Sequence, residues 1–115
     1  MFNDWTDRSK RWLGTLGGAE IVRSGVGDTE EHLVGLVRRG DVVELRIDGA
    51  AVATRQDASV AAADVSTPGT KVSIGGRPGL THWVGGIWEI VAVKGAVDPA
   101  ALATFEAYAK AKYGL

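Results

Sequence analysis

The stretch VVELRIDGAAVATRQ, residues 42–56, decides the fold. Its first half alternates apolar and polar side chains, so Val43, Leu45 and Ile47 share one face of a strand and charged side chains share the other. Asp48-Gly49 follows, and both residues tolerate the positive φ that a tight hairpin turn requires. The stretch therefore predicts an antiparallel β-hairpin with one buried face.

Composition and charge narrow the class of protein. The chain has 115 residues, 45% of them hydrophobic, which suits one small domain with a modest core. Its 13 basic and 14 acidic residues give a net charge of −1, so electrostatics provide no reason to expect nucleic acid or an acidic membrane surface as a partner. The lack of cysteine excludes disulfides and thiolate metal sites.

Targeting segments are not evident in the sequence. Residues 1–14 have no apolar core of signal-peptide length, and no run approaches the roughly 20 apolar residues of a membrane span. If the protein works outside a cell, we expect it to arrive there by lysis, by assembly on a particle or by a route that the sequence does not show.

Further short strands are predicted on both sides of the hairpin. Gly40-Asp41 turns the chain between the hairpin and a preceding Val- and Leu-rich strand. Residues 1–16, which carry Phe2, Trp5 and Trp12, form either a docking arm or an irregular edge segment. The other candidate strands are residues 19–25, 32–39, 50–56 and 71–76.

The longest candidate strand, residues 83–95, is apolar on both faces. A strand of this kind lies centrally in a sheet and is covered on both sides. We therefore expect Trp88 to pack on the core or under a helix.

The C-terminal segment, residues 98–113, predicts an amphipathic helix. Asp98 suits the N-cap, Pro99 suits the first helical position, and Gly114 suits the C-terminal stop. The expected core stripe, at three- and four-residue spacing, consists of Leu102, Phe105, Ala109 and Tyr113. Together with the short strands, this helix predicts an all-β class: a single-domain antiparallel β-sandwich with a C-terminal α-helix.

Four motifs, in order, resemble laminin-G-like modules of the concanavalin A-like lectin/glucanase superfamily. HLVGLVRRGDVVELRIDG resembles their central hairpin, and STPGTKVSIGGR resembles the strand that follows it. The closing segment resembles theirs in a strand of the form aromatic-x-Gly-x-Ile-x-Glu and in a short terminal helix. The matching positions are Trp83, Gly85, Ile87, Glu89, Ile90, Tyr108, Lys112, Tyr113 and Gly114.

The resemblance covers about residues 31–115 and implies an abbreviated jelly-roll sandwich. Modules of this family usually carry another half before the first hairpin, whereas only about thirty residues precede it here. A sheet that lacks strands exposes backbone donors and acceptors along its edges. Either the front folds into a minimal sandwich or another chain supplies the cover. We therefore expect protein partners in a larger assembly and a homo-oligomer.

Catalytic and metal sites have little support in the sequence. No serine has a nucleophile-elbow context, and the two histidines, His32 and His82, have no zinc-site spacing. The glucanases of the superfamily bear closely spaced acidic residues on one strand, whereas Glu89 is isolated on its strand. Calcium, which related modules sometimes bind, is the one cofactor worth considering, although no calcium-loop spacing is present among the loop aspartates Asp28, Asp41, Asp57 and Asp64.

Exposed aromatic side chains anchor protein interfaces and stack on sugar rings. The candidate ligand or interface residues are Trp5, Trp12, Arg77, His82 and Trp83. We expect a non-enzymatic binding or structural module, with a phage virion component (capsid decoration or minor tail protein) ahead of a carbohydrate-binding lectin-like module.

Overall fold

The computed structural model describes residues 29–61 and 85–115 and, as backbone strands, Phe2–Asp4 (β1), Arg11–Leu16 (β2) and Ala19–Arg23 (β3). These three strands form one antiparallel sheet in the order β1-β2-β3. The third strand agrees with the prediction for residues 19–25. Of the predicted front segment, residues 1–16, the structure describes β1 and β2 as paired strands.

A second antiparallel sheet contains the hairpin predicted from residues 42–56. Its strands are Val34–Arg39 (β4), Val42–Ile47 (β5) and Ala50–Gln56 (β6), in that order across the sheet. β3 runs close to β6. A four-residue helix, Ala58–Ala61 (α1), follows the sheet, and the chain ends in the helix Pro99–Tyr113 (α2).

The turn between β5 and β6 has the predicted geometry. Asp48 and Gly49 have φ values of 52° and 85°, and Ile47 pairs directly with Ala50 across the turn. The pairing shifts between Leu45 and Arg46, which leaves Val52 as an extra residue on β6. Because of this bulge, both Val52 and its neighbour Ala53 pack against the core.

The core lies on the face of β5 that the alternation predicts. Val43 and Leu45 are fully buried and Ile47 is 5% exposed. Val60 of α1 closes the same cluster, and half-buried apolar residues of β4 and β6 surround it. The prediction of one buried face on this strand is confirmed.

The helix α2 also forms as predicted, and its buried side includes most of the predicted stripe: Ala109 is buried, and Leu102 and Tyr113 are half-buried. Asp98 caps it by accepting hydrogen bonds from the backbone amides of Ala100 and Ala101, and Gly114 ends it with φ 73°. Glu106 is buried, whereas Phe105 of the predicted core stripe is 37% exposed. The difference is confined to this one position, because Arg46 of β5 binds the Glu106 carboxylate and holds residue 106, rather than residue 105, on the buried side of the helix.

The prediction of a central, covered strand at residues 83–95 is wrong for its described part. Residues 85–95 contain no strand, and Trp88 is 71% exposed rather than packed on the core or under the helix. The second face of the β4-β5-β6 sheet carries the charged side chains Glu44 and Arg46, and Arg46 binds Glu106 there, so α2 rather than residues 85–95 contacts this part of the face. The structure shows antiparallel sheets and a C-terminal helix; the packing of the sheets as a sandwich and the jelly-roll order stay predictions.

Candidate functional site

Most of the candidate ligand or interface residues identified from the sequence lie outside the described residues. Trp5, Arg77, His82 and Trp83 fall outside the described residues, and Trp12 belongs to β2, whose side chains are not described. The predicted strand at residues 71–76 is also outside them. The described parts of the chain nevertheless contain a distinct candidate surface.

This candidate surface is apolar and belongs to the C-terminal part of the chain. Across residues 29–61 and 85–115, every large hydrophobic side chain that is exposed falls after residue 84. Trp88 and Val93 are the most exposed, at 71% and 67%. We call residues 87–94 the exposed segment. The full set of exposed large hydrophobics is Ile87, Trp88, Ile90, Val91, Val93, Phe105, Tyr108 and Leu115.

Glu89 ties the exposed segment to the end of α2. Its Oε2 atom accepts a hydrogen bond of 2.9 Å from Nζ of Lys112 and one of 2.5 Å from the hydroxyl of Tyr113. The Lys112 ammonium also lies 5.1 Å from the ring centroid of Tyr113 and 5.8 Å from that of Tyr108. The one carboxylate of the segment is therefore neutralised by the protein itself.

The pKa values around Glu89 follow from these contacts. The Tyr113 hydroxyl, and then the Lys112 ammonium, lower the pKa of the Glu89 carboxyl. In return, Glu89 raises the pKa values of both Lys112 and Tyr113. The cluster is thus most stable with an ionised glutamate, a charged lysine and a neutral tyrosine.

A second polar cluster holds α2 against the sheet. Arg46 donates from Nε to Glu106 Oε1 at 2.6 Å and from Nη2 to Glu106 Oε2 at 3.0 Å. It also donates from Nη1 to Glu44, which in turn is paired with Arg39. The Glu106 carboxylate raises the pKa of Arg46. This two-point contact, with both side chains mostly buried, fixes the rotation of α2.

The turn at Asp48 completes the attachment of the helix. Lys110 of α2 donates from Nζ to the backbone carbonyl of Asp48 at 3.2 Å. The Asp48 carboxylate accepts from the Leu33 amide and lies 2.7 Å from Nδ1 of His32. Both carboxylate oxygens of Asp48 therefore anchor the hairpin turn to residues 32 and 33. The His32–Asp48 pair thus has a structural role.

The loop aspartates considered for calcium have protein partners where they are described. Asp57 Oδ1 accepts from the Ser59 amide and hydroxyl and Oδ2 accepts from Arg55, contacts that lower the pKa of Asp57, with Ser59 the larger cause. Asp41 accepts from the Gln56 side chain at 2.8 Å. Within residues 29–61 and 85–115, no group of three His, Asp or Glu side chains is arranged to hold a metal ion. Asp28 and Asp64 lie outside the described residues.

In the part of the chain that the structure describes, no helix has the length and apolar character needed to cross a membrane. The chain matches no protein-family model, and neither curated proteins nor solved structures show a significant similarity to it.

Sequence reasoning missed two polar contacts of α2. It included Glu89, Lys112 and Tyr113 only as matches to a motif, and their spacing of 23 and 24 residues did not reveal that they meet. It also gave Glu106 no role, so the contact of Glu106 with Arg46 was not expected. The signal for that contact was an arginine on the polar face of β5, opposite a helix with a glutamate near its centre.

Proposed function

We propose that this chain is a non-enzymatic binding module that docks on a larger protein assembly through its C-terminal part. The supporting observation is the exposure of Trp88, Ile90 and Val93, whereas Val43 and Leu45 of β5 are fully buried. Apolar surface of this kind marks sites of association, because contact with another apolar surface releases the water around it. The family resemblance makes a phage virion component, either a capsid decoration or a minor tail protein, the specific form of this proposal.

The two described parts of the chain differ in the burial of their apolar side chains, and this difference supports docking through the C-terminal part. Among the described residues, the core cluster lies within residues 34–60, where Val43, Leu45 and Val60 are fully buried. Residues 87–93 have side chains of the strand-forming type and remain exposed. In the proposed assembly, a partner covers this segment and completes an abbreviated jelly-roll sandwich.

The test uses phage particles that are assembled from a genome encoding the chain. Particles are separated from free protein on a density gradient, and the chain is sought in the particle band by mass spectrometry. We expect the wild-type chain there and expect a Trp88→Ser, Val93→Ser double variant to remain with the free protein. An Arg55→Ala variant, altered at a polar exposed site, is the matched control. Absence of the wild-type chain from the particle band would contradict the proposal.

A carbohydrate-binding function is the second candidate, and one observation favours it. Tyr108 is 58% exposed and lies beside the Lys112 ammonium, which is itself bonded to Glu89. An aromatic face next to polar donors and acceptors is suited to a sugar ring. On a glycan array, this candidate requires binding that is lost in Tyr108→Ala or Trp83→Ala, whereas the docking proposal expects no glycan signal.

A further inference from the structure

We infer that Asp48 is a site of spontaneous modification, at which its peptide bond to Gly49 isomerises to an isoaspartyl bond, and that the folded chain slows this reaction by binding the Asp48 carboxylate. The inference goes beyond the docking function and does not depend on it. Two features of the described residues carry it: the residue pair at the turn and the hydrogen bonds of the Asp48 side chain. A third, the contact of α2 with the same residue, gives the modification a structural consequence.

The first feature is the residue pair at the turn. Asp48 and Gly49 lie between the end of β5 and the start of β6 and have φ values of 52° and 85°. A β-carbon is strained at such a φ, so the turn favours glycine at residue 49. Glycine also leaves its backbone nitrogen unhindered by a side chain of its own, so that this nitrogen can approach the Asp48 side chain. That side chain is 37% exposed, which gives water access to the site.

The reaction needs only these two residues and water. The backbone nitrogen of Gly49 attacks Cγ of Asp48 and loses its proton, and one carboxyl oxygen leaves as water, which closes a succinimide ring. Water then adds to one of the ring carbonyl carbons and opens the ring. Opening at the side-chain carbonyl restores aspartate. Opening at the main-chain carbonyl breaks its bond to the Gly49 nitrogen and leaves the chain linked through Cγ, as isoaspartate of the same mass.

The second feature is the set of hydrogen bonds that engage Asp48. Its Oδ1 accepts from the Leu33 amide at 2.9 Å, and its Oδ2 lies 2.7 Å from Nδ1 of His32, which donates to the ionised carboxylate. The Asp48 amide also donates to the Leu33 carbonyl at 2.8 Å, so the backbone and the side chain are anchored to the same residue. Whichever carboxyl oxygen leaves as water, one of the two side-chain contacts is lost. The folded chain therefore opposes ring closure.

The third feature is the attachment of α2 to the same residue. Lys110 donates from Nζ to the backbone carbonyl of Asp48 at 3.2 Å. In isoaspartate that carbonyl leaves the main chain and becomes a carboxylate, while Cβ and Cγ enter the main chain in its place. The connection between the paired residues Ile47 and Ala50 is then one atom longer. Isomerisation thus alters both the hairpin turn and the contact that the turn makes with the helix.

The first experiment compares the folded and the unfolded wild-type chain. Both samples are incubated at neutral pH, one in buffer and one in guanidinium chloride, and isoaspartate is measured in the tryptic peptide of residues 47–55 by chromatography and electron-transfer fragmentation. We expect isomerisation in the unfolded sample to be about tenfold faster or more, because hydrogen bonds to a charged group that must be broken slow a reaction by at least this factor. Absence of isoaspartate at residue 48 in the unfolded sample, or equal rates in the two samples, would overturn the inference.

The second experiment tests the contact of His32 with Asp48 in the folded chain, with circular dichroism to verify folding. We expect His32→Ala to raise the isomerisation rate about tenfold. His32→Asn should keep a rate near that of the wild type, because its side-chain amide can donate in place of Nδ1. Val43→Ala is the matched control, since it weakens the core and leaves the carboxylate contacts in place.

The variants and the wild-type comparison decide separate parts of the inference. An unchanged rate in His32→Ala, or an equal rise in Val43→Ala, would contradict the protective role of the His32 contact. The comparison of folded and unfolded wild-type chain does not depend on the folding of any variant, so it decides whether Asp48 is a modification site that folding protects.

Discussion

At the scale of single residues, the Asp48-Gly49 turn and Arg46 determine how the hairpin meets the helix. Gly49 has a positive φ of 85°, and a Cβ there would lie 3.6 Å from Glu106 Oε2. Arg46 reaches the same glutamate from the adjacent strand and donates to the Gly49 carbonyl at 2.8 Å. The turn, the strand and α2 therefore depend on one another at this point.

We predict that Gly49→Ala lowers the free energy of unfolding by about 1–2 kcal/mol, because an L side chain is strained at this φ. Urea unfolding followed by circular dichroism measures it. Gly35→Ala is the control: its Cβ would meet only Arg46 Cβ at an ordinary 3.7 Å, and we expect no loss. Equal losses in the two variants would contradict this account of the turn.

We predict that Arg46→Met costs about 1–3 kcal/mol, because Glu106 then loses its two hydrogen bonds in a mostly buried position. The exposed pair Arg55–Asp57 is the comparison, and Arg55→Met is expected to cost about 0–1 kcal/mol. A double-mutant cycle of Arg46→Met with Glu106→Gln isolates the contact. A coupling energy near zero would show that Arg46 does not hold the helix.

At the scale of elements, α2 connects two parts of the molecule that are separated in sequence. Its centre binds the β4-β5-β6 sheet through Glu106, and its last turn binds the exposed segment through Lys112 and Tyr113. Both attachments are polar. The position of the exposed segment relative to α2 is therefore sensitive to pH, whereas the apolar core of the sheet is not.

We predict that the Glu89 carboxyl titrates below its ordinary pKa of 4.5 in the folded protein. Since the folded pKa is lowered, this contact contributes to stability above pH 4.5, and the contribution is lost as the pH falls through the lowered pKa. The pKa of Tyr113 is raised in the folded protein by its hydrogen bond to Glu89. The stability that this hydrogen bond contributes is therefore lost as the pH rises above 10.0.

Carboxyl-carbon NMR measures the titration of Glu89 directly. Tyr113→Phe removes the larger cause of the shift, so the pKa of Glu89 should move up toward 4.5. Tyr108→Phe leaves the Glu89 contacts in place and serves as the control. If the Glu89 pKa is the same in the wild-type chain and in Tyr113→Phe, the hydrogen bond from Tyr113 does not form.

At the scale of the whole molecule, the stabilising core and the proposed contact surface occupy different parts of the chain. The core cluster lies within residues 34–60, and all exposed large hydrophobics of the described parts lie within residues 85–115. Substitutions in the two regions should therefore affect different properties: stability in the first and association in the second.

We predict that Leu45→Ala costs about 2–5 kcal/mol of unfolding free energy, because Leu45 is fully buried. Val93→Ser, at a side chain 67% exposed, should change the stability of the monomer by less than about 0.5 kcal/mol. Chemical unfolding of the two variants and the wild-type chain at low protein concentration compares them. A loss of several kcal/mol in Val93→Ser would instead support the central, covered strand expected from the sequence.

The sequence by itself determined the local features of this protein. The alternation in residues 42–47, the Asp48-Gly49 turn and the capped helix from Pro99 to Tyr113 each depend on interactions within a few residues, so pattern and propensity suffice to predict them. Only the tertiary structure decided that Glu106, rather than Phe105, lies on the buried side of α2 and that the apolar residues near Trp88 are exposed. Those outcomes depend on contacts between distant positions, which a local pattern does not contain: Arg46 binds Glu106 sixty residues away.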